Sequence, residues 1–283
     1  MKSVKIGSAD VRQVTIGRDQ LVLMAGPCVI ESRDLCFQIA ETLQTACDKL
    51  GIGYVFKASF DKANRSSVDS FRGPGLDAGL KILAEVKNEF KLPVVSDIHL
   101  PAQAAPAAEV LDVLQIPAFL ARQTDLVEAA AKTQKCVQIK KAQFMAPWDL
   151  KNVINKITHH GNENITLVER GVSFGYNRLV CDMIAIPEMQ QLGYPAIIDA
   201  THSTQTPSGL GSSSGGSAEH GKILARSAMA AGADGLFIET HPQPEKALSD
   251  ATSMIPLAQV EPLLTLCRDI FHAVRKAKYT DHG

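Results

Sequence analysis

The sequence predicts an α/β protein that forms a single (β/α)8 barrel, the TIM-barrel fold. Short β-branched runs alternate along the chain with amphipathic segments of helical period, and this alternation favours a parallel sheet. About eight such units follow one another, and 283 residues is an ordinary length for one closed barrel. The predicted strands are 21–25, 53–57, 93–97, 111–116, 136–140, 165–169, 196–199 and 234–239.

An open, doubly wound sheet is the alternative fold. It usually carries a glycine-rich phosphate turn after its first strand, whereas here Gly26, Pro27 and Cys28 follow that strand. Neither an internal repeat nor a domain boundary is evident, so residues 1–283 are predicted to form one domain. Residues 20–280 would form the barrel, and residues 1–19 a short N-terminal hairpin that plugs its lower end.

The predicted helices have recognisable ends. Ser32 is placed to cap a helix that stops before Gly51, and a second helix runs from Leu76 to Phe90. The other helices predicted with clear limits are 125–133, capped by Thr124, 218–231, and 256 to about 278.

Composition limits the classes of partner. The net charge of −1 argues against nucleic acid, so any attraction for anions must come from local clusters of Lys and Arg. The six cysteines have no regular spacing and indicate reduced thiols instead of a disulfide framework. No apolar run approaches about 18 residues and no signal-like stretch begins the chain, so we expect no membrane span and a cytoplasmic location.

Polar residues stand where the predicted strands end and the following loops begin. In barrel enzymes the working side chains occupy this position. So many polar residues directly after apolar strands are not expected by chance. It comprises Cys28, Lys57, Ser59, Asp97, His99, Gln115, Arg122, Lys140, Arg170, Asp199, His202, Glu239 and His241.

Three of these polar residues, together with Asp250 from the loop after the last strand, suggest a metal site. In a closed barrel the first, seventh and eighth strands are adjacent, so Cys28, His202, Glu239 and Asp250 would converge. A thiolate, an imidazole and two carboxylates suit a transition metal. Each residue alone has an ordinary alternative: a packed cysteine, a hydrogen-bonded histidine, a partner of a rim lysine, or a loop residue.

Three cations at strand ends, Lys57, Lys140 and Arg170, predict an anionic ligand. A buried lysine must be paired or bind an anion. Together with the polar loop 62–66, they suggest a substrate that bears phosphate and carboxylate groups. The alternative is a structural set of ion pairs in which Asp97 and Glu169 neutralise the two lysines.

Six segments together resemble the 3-deoxy-D-manno-octulosonate 8-phosphate synthase family. They are FKASFDKANRSS at 56–67, QIPAFLARQTD at 115–125, KKAQF at 140–144, RGVSFGY at 170–176, DATHS at 199–203 and FIETHP at 237–242. The resemblance spans about residues 20 to 265. Cys28 and the Leu248-Ser249-Asp250 segment resemble the metal-dependent type, since the metal-free type carries Asn at the position of Cys28.

The resemblance implies a (β/α)8 enzyme, usually a homotetramer. It would condense phosphoenolpyruvate with D-arabinose 5-phosphate and water, giving 3-deoxy-D-manno-octulosonate 8-phosphate and inorganic phosphate for lipopolysaccharide precursor (Kdo) biosynthesis. Its implied metal ligands are Cys28, His202, Glu239 and Asp250. The ligand set suits Fe²⁺ or Zn²⁺, with Mn²⁺ or Co²⁺ as substitutes.

The resemblance also assigns roles to single residues. Phosphoenolpyruvate would be held by Lys57, Lys62, Lys140 and Arg170, and the phosphosugar by Asn64, Arg65 and Ser66. Arg122 would reach the sugar phosphate in a neighbouring subunit. Ser59, Asp97, Gln115, Pro117, Ala118, Phe119 and Gln143 complete the expected substrate-binding set. The expected catalytic residues are Lys57, Lys140, His202, Asp250 and Cys28.

Three other functions compete with this interpretation. The related heptulosonate phosphate synthases use erythrose 4-phosphate, but their loop resembles Lys-Pro-Arg-Thr instead of Lys62-Ala63-Asn64-Arg65. A zinc-dependent aldolase that cleaves a phosphorylated ketose would not need so many cations. A phosphate-binding sensor without catalysis would not need all four metal ligands.

Overall fold

The computed structural model of the protein describes residues 1–17, 19–65, 67–206 and 215–280, the last three without their side chains. Eight parallel strands pair in chain order, and the seventh also pairs with the eighth, which closes the sheet. The predicted barrel is therefore confirmed. The strands are β1 Val22–Gly26, β2 Gly53–Lys57, β3 Val94–Asp97, β4 Val113–Ile116, β5 Cys136–Lys140, β6 Ile165–Glu169, β7 Ala196–Asp199 and β8 Gly235–His241.

Helices surround the barrel and pack on its outer face. They are α1 Arg33–Leu50, α2 Leu76–Phe90, α3 Ala104–Val110, α4 Thr124–Lys132, α5 Leu150–Thr158, α6 Ala185–Gln191, α7 Ala218–Ala230 and α8 Leu257–Thr280. None of the described helices is both long and apolar enough to cross a bilayer.

Three predicted helix caps can be compared with the structure. Ser32 Oγ accepts a hydrogen bond from Leu35 N at 3.1 Å, and Gly51 ends α1 in the left-handed region at φ 67°, as predicted. The cap at Thr124 was wrong, because Gln123 precedes the first turn of α4. The Thr124 hydroxyl instead accepts from Lys156 Nζ at 2.8 Å, which ties α4 to α5.

The N-terminal hairpin is confirmed. Val4–Ile6 pairs antiparallel with Val14–Ile16, and the buried side chains of both strands pack among the inward residues of the barrel. The glycines at the starts of β2 and β8 leave room for it. A Cβ at Gly53 would lie 2.7 Å from Val14, and one at Gly235 would lie 3.2 Å from Ile16. The hairpin therefore fills the end of the barrel where the strands begin.

Alternation along each strand places one set of side chains inside the barrel. The inward positions at the strand starts and centres are almost entirely apolar, with Val22, Met24, Val55, Val95 and Val113 among them. Because side chains alternate with a period of two, the next inward position lies nearer the strand end. Those last inward positions are Lys57, Asp97, Gln115, Lys140, Arg170, Asp199 and Glu239. The fold thus gathers charge at one end of the barrel.

Three short connections shape the rim at that end. Val172–Ser173 pairs antiparallel with Leu179–Val180 in the loop after β6. Ile255–Pro256 pairs in parallel with the end of β8. A 3-10 turn, His202–Thr204, follows β7 and turns His202 back towards the barrel axis.

Candidate active site

A cavity of about 720 Å³ opens at the carboxyl ends of the strands. Its size and position are those expected of a small-molecule site in this fold. Most of the predicted site residues line it. They are Lys57, Lys62, Asn64, Arg65, Asp97, Gln115, Pro117, Ala118, Phe119, Lys140, Gln143, Arg170, His202, Glu239 and Asp250.

Four predicted site residues are placed differently. Cys28 is fully buried behind the cavity wall, in contact with the loop after β8. Ser59 is also buried, and its carbonyl accepts from Ile30 N at 2.9 Å, so it joins the loops after β1 and β2. Arg122 is exposed outside the described cavity lining. Ser66 lies outside the described residues.

Glu239 is the centre of one charge network. Its Oε1 lies 2.5 Å from Lys57 Nζ and 3.6 Å from Lys62 Nζ, and Lys57 also donates to the Cys28 carbonyl at 2.8 Å. Burial alone would raise the pKa of Glu239, but the positive charges of His202 and Lys57 outweigh it and hold the pKa well below its usual range. Glu239 is therefore an ionised carboxylate inside the site.

Asp199 is the centre of a second network. Its Oδ2 lies 2.6 Å from Lys140 Nζ and 2.7 Å from His202 Nδ1. Burial opposes ionisation of Asp199, but His202 and Lys140 outweigh burial and lower its pKa. Lys140 Nζ also lies 3.8 Å from the centre of the Phe237 ring, a cation–π contact below the ammonium.

The alternative that Glu239 pairs with a rim lysine is confirmed, whereas the alternative that Asp97 and Glu169 neutralise Lys57 and Lys140 was wrong. Lys57 pairs with Glu239 and Lys140 with Asp199, not with Asp97 and Glu169. Asp97 instead faces His99 Nε2 at 3.0 Å, and Glu169 lies 3.5 Å from Lys141 Nζ outside the cavity. Glu169 is excluded from the cavity because it is the last residue of β6 and faces outward, whereas Arg170, directly after it, lines the cavity.

The predicted metal ligands come together. One ligand atom each from Cys28, Glu239 and Asp250 lies within 4.8 Å of the others. His202 is not part of that trio, but its Nε2 lies 3.5 Å from Glu239 Oε2 and 3.6 Å from Asp250 Oδ2. Glu239 Oε2 is buried and has no hydrogen-bond partner among the described residues. A buried carboxylate oxygen left unpartnered between an imidazole and a thiol fits a divalent transition metal.

The protonation of this cluster is compatible with such an ion. Burial lowers the pKa of His202, but the charges of Asp199 and Glu239 outweigh it and raise that pKa. A bound divalent ion would displace the proton on Nε2, and the contact of Nδ1 with Asp199 would keep the other proton on Nδ1. Burial, with the Glu239 charge, raises the pKa of the Cys28 thiol well above its usual value. A cation beside Cys28 would be needed to hold it as a thiolate.

The polar loop after β2 is closed upon itself. Arg72 pairs with both carboxylate oxygens of Asp61, at 2.8 and 2.6 Å, and the Lys62 amide donates to the Arg72 carbonyl at 2.7 Å. Arg65 Nε donates to the Phe71 carbonyl at 3.0 Å. These contacts hold Lys62 and Arg65 on one side of the cavity.

Sequence reasoning missed two contributors. Ser249 Oγ lies 2.9 Å from Cys28 Sγ, and its position next to Asp250 was the only available signal. Phe237 lies beneath Lys140, and the alternation of β8 would have revealed it, because residue 237 must face inward if Glu239 does. Asp199 stood among the strand-end residues but received no role.

Comparison with known proteins agrees with this geometry. The model of the DAHP synthetase I family matches residues 3–276. A 2-dehydro-3-deoxyphosphooctonate aldolase of Trichlorobacter lovleyi is 54% identical over 274 residues, which cover 97% of this chain and 99% of that relative. A relative of the same name from Desulfosudis oleivorans is 58% identical over 250 residues, covering 88% and 90%. The one from Protochlamydia amoebophila is 53% identical over 267 residues, covering 94% and 97%. The chain belongs to the DAHP synthetase I family.

Proposed function

We propose that this protein condenses phosphoenolpyruvate with D-arabinose 5-phosphate and water, and releases 3-deoxy-D-manno-octulosonate 8-phosphate and inorganic phosphate. It would act in the biosynthesis of Kdo, the lipopolysaccharide precursor sugar. The relatives' shared name supports the reaction. The observation that carries the proposal is the concentration of Lys57, Lys62, Lys140 and Arg170 in one cavity, next to the cluster of Cys28, His202, Glu239 and Asp250.

The cations would offset the electrostatic repulsion between the two substrates. Both substrates are anions, and the C3 carbon of phosphoenolpyruvate must approach the sugar aldehyde closely enough to form a bond. Cations fixed in a buried cavity offset this repulsion and hold the two substrates in reacting geometry. As the bond forms, positive charge develops at C2 of the pyruvyl group, where water adds. The resulting hemiketal phosphate then loses phosphate.

Individual residues have proposed parts in this sequence. Lys57, Lys62, Lys140 and Arg170 would hold phosphoenolpyruvate through its phosphate and carboxylate. Arg170 supports this role, because its Nη1 is buried and has no partner in the described part of the chain. Asn64 and Arg65, with Ser66, would hold the phosphosugar. Ser59, Asp97, Gln115, Pro117, Ala118, Phe119 and Gln143 would shape the rest of the binding site.

The enzyme is proposed to be of the metal-dependent type. Cys28, His202, Glu239 and Asp250 would hold a divalent ion, Fe²⁺ or Zn²⁺ in preference to Mn²⁺ or Co²⁺. Such an ion supplies Lewis-acid polarisation of an aldehyde, activation of a water, or orientation of the sugar. Asp199 contributes by fixing the His202 ring through Nδ1.

The working form is proposed to be a cytoplasmic homotetramer. Large apolar side chains are exposed on the loops after β4, β5 and β6, and five of them are 56–98% exposed: Phe119, Phe144, Trp148, Phe174 and Tyr176. Exposed apolar side chains on neighbouring loops favour association. Arg122, exposed in the same loop as Phe119, would reach out of its own subunit towards a neighbouring site. Light scattering of the purified protein tests the tetramer.

One experiment separates this function from its rivals. The protein is incubated with phosphoenolpyruvate and either arabinose 5-phosphate or erythrose 4-phosphate, and phosphate release is followed. We expect release with the five-carbon sugar phosphate and little with the four-carbon one. The reverse preference would identify a heptulosonate phosphate synthase. Release with neither, in protein that binds phosphate, would favour the sensor.

A further inference from the structure

Four polar side chains form a row across the inside of the barrel. Asp97, Gln115, Gln138 and Thr166 are successive partners on β3, β4, β5 and β6, so they lie at one level. The first two line the cavity, whereas Gln138 and Thr166 are fully buried outside the described lining. An amide buried this deeply requires an explanation, because the inward positions below it are apolar.

Gln138 makes one hydrogen bond within the row. Its Nε2 donates to Gln115 Oε1 at 3.2 Å. Because an amide is planar, a Gln115 group whose oxygen faces Gln138 must turn its NH2 away from β5. Gln115 lines the cavity, and no hydrogen bond from its amide nitrogen occurs in the described part of the chain. The NH2 group is thus available to the cavity.

The neighbour on the other side favours the same orientation. Burial alone would raise the pKa of Asp97, but the hydrogen bond from His99 and the charge of Lys62 lower it, so Asp97 is ionised. An amide oxygen turned towards this carboxylate would be repelled, whereas an NH2 group is attracted. Donating to Gln115 leaves the Oε1 of Gln138 buried without a hydrogen-bond partner among the described residues. A buried acceptor without a partner lowers the free energy of unfolding.

We infer that Gln138 is a positioning residue, which holds Gln115 with its amide NH2 towards the cavity to donate to an oxyanion of a bound substrate. This inference rests on the proposed function. A reversed Gln115 would present its carbonyl oxygen to a phosphate or carboxylate, and the contact would become repulsive. Gln138 therefore acts on substrate affinity from a position that no substrate contacts.

Gln138→Met tests the inference, with Thr166→Val as the matched control. Both substitutions remove a buried polar group from the same row, but only Gln138 is bonded to Gln115. Calorimetry measures the dissociation constants of phosphoenolpyruvate and of arabinose 5-phosphate separately. We expect Gln138→Met to weaken one of them about tenfold, the scale of one hydrogen bond to a charged group. Thr166→Val should leave both unchanged.

A double-mutant cycle distinguishes positioning from general damage. In a Gln115→Met background, the further change Gln138→Met should have no additional effect on affinity. The amide that Gln138 would orient is then absent. Effects that add, or equal losses in Thr166→Val, would show a structural role and overturn the inference. If thermal denaturation shows that Gln138→Met is not folded, Gln138→Asn replaces it. The shorter side chain of Asn cannot reach Gln115 Oε1.

The outcomes also separate this inference from the proposed function. If the wild-type protein binds both substrates and releases phosphate while Gln138→Met binds them equally well, only the role of Gln138 is overturned. If the wild-type protein binds neither substrate, the proposed function fails, and the inference fails with it.

Discussion

The two ends of the barrel interior are built from the same eight strands but have opposite chemistry. At the lower end, where the strands begin, Ile6, Val14 and Ile16 of the hairpin pack with inward valines. At the upper end, two residues further along the same alternation, the inward side chains include Lys57, Lys140 and Glu239, each at most 5% exposed. Burial is similar at both ends, and only its composition differs.

This difference separates stability from function. Apolar burial at the lower end stabilises the fold by about 25 cal/mol per Å² removed from water. Buried charge at the upper end contributes much less, because desolvation opposes the attraction of each ion pair. Six of the seven inward strand-end positions named above carry a charge, and we expect ligand binding, not stability, to account for them. Substitutions at the lower end should therefore change stability, and substitutions at the upper end should change activity.

The largest expected effect comes from removing the proposed metal. Thorough chelation should abolish turnover and leave the far-ultraviolet circular dichroism unchanged, because the barrel is closed by strand pairing and the ligand cluster lies at its upper end. Adding back Fe²⁺, Zn²⁺, Mn²⁺ or Co²⁺ should restore activity to different degrees. An unaltered rate in protein shown to be metal-free would remove the metal assignment and leave the condensation supported by the cations.

Substitution of the ligands sharpens the same prediction. Cys28→Ala and His202→Ala should each lower the metal content of the purified protein, since each removes a proposed ligand. Cys28→Asn introduces the residue of the metal-free type, so it should lose tight metal binding and retain some turnover that chelators no longer affect. Elemental analysis before and after dialysis measures the first effect. Ser249→Ala, which keeps all four proposed ligands, is the comparison variant.

Lys140→Met should reduce activity at least about a hundredfold, the scale of one lost electrostatic stabiliser. The fold should persist, because Asp199 keeps its contacts with His202 and with the Thr201 hydroxyl at 3.1 Å. Steady-state phosphate release and thermal denaturation give the two measurements.

Lys141→Met is the matched control for that prediction. Lys141 is the next residue, equally long and fully buried, but it faces outward and pairs with Glu169. Its loss should lower the free energy of unfolding by about 3 kcal/mol, since it removes the ammonium that neutralises the buried Glu169 and leaves that carboxylate with uncharged backbone N–H partners such as Gly171, at 2.6 Å. If Lys140→Met were instead the unfolded variant, with normal activity per folded molecule, the upper ion pairs would be structural.

Arg65→Ala should weaken arabinose 5-phosphate much more than phosphoenolpyruvate. Loss of a charge-assisted contact with phosphate costs about 2–3 kcal/mol, or about 30- to 150-fold in affinity. Arg33→Ala is the control, because Arg33 is paired with Glu85 between α1 and α2, outside the described cavity lining. Titrations with each substrate alone measure the effect, and an equal loss for both substrates would contradict the assignment of Arg65 to the sugar.

The smallest effect on activity is expected at the lower end. Ile16→Ala removes a fully buried side chain from the hairpin and should lower the free energy of unfolding by about 3 kcal/mol. Activity per folded molecule should stay within about twofold, because the hairpin lies at the opposite end from the cavity. Denaturant unfolding and an activity titration measure the two quantities. A large loss of activity in folded Ile16→Ala would break the separation between the two ends.

Much of the fold was determined by sequence alone. The strands and α2 were predicted to within about two residues, because alternation, helical period and glycine punctuation are local properties of the chain. The convergence of Cys28, His202, Glu239 and Asp250 also followed, since a closed barrel makes β1, β7 and β8 neighbours. Their role as metal ligands stays a prediction.

Pairing inside the site was decided only by the tertiary structure. Three cations and several carboxylates at strand ends allow many combinations. The pairs that form depend on strand register and on whether a side chain faces inward. That is why Lys57 pairs with Glu239 across the β1 strand between them, and why Glu169 turns out of the cavity to Lys141. The hydrogen bond from Gln138 to Gln115 has the same origin, because residues 23 positions apart in the sequence meet only when β4 and β5 align. Local sequence thus determined which residues could act, and the closure of the barrel decided which of them act together.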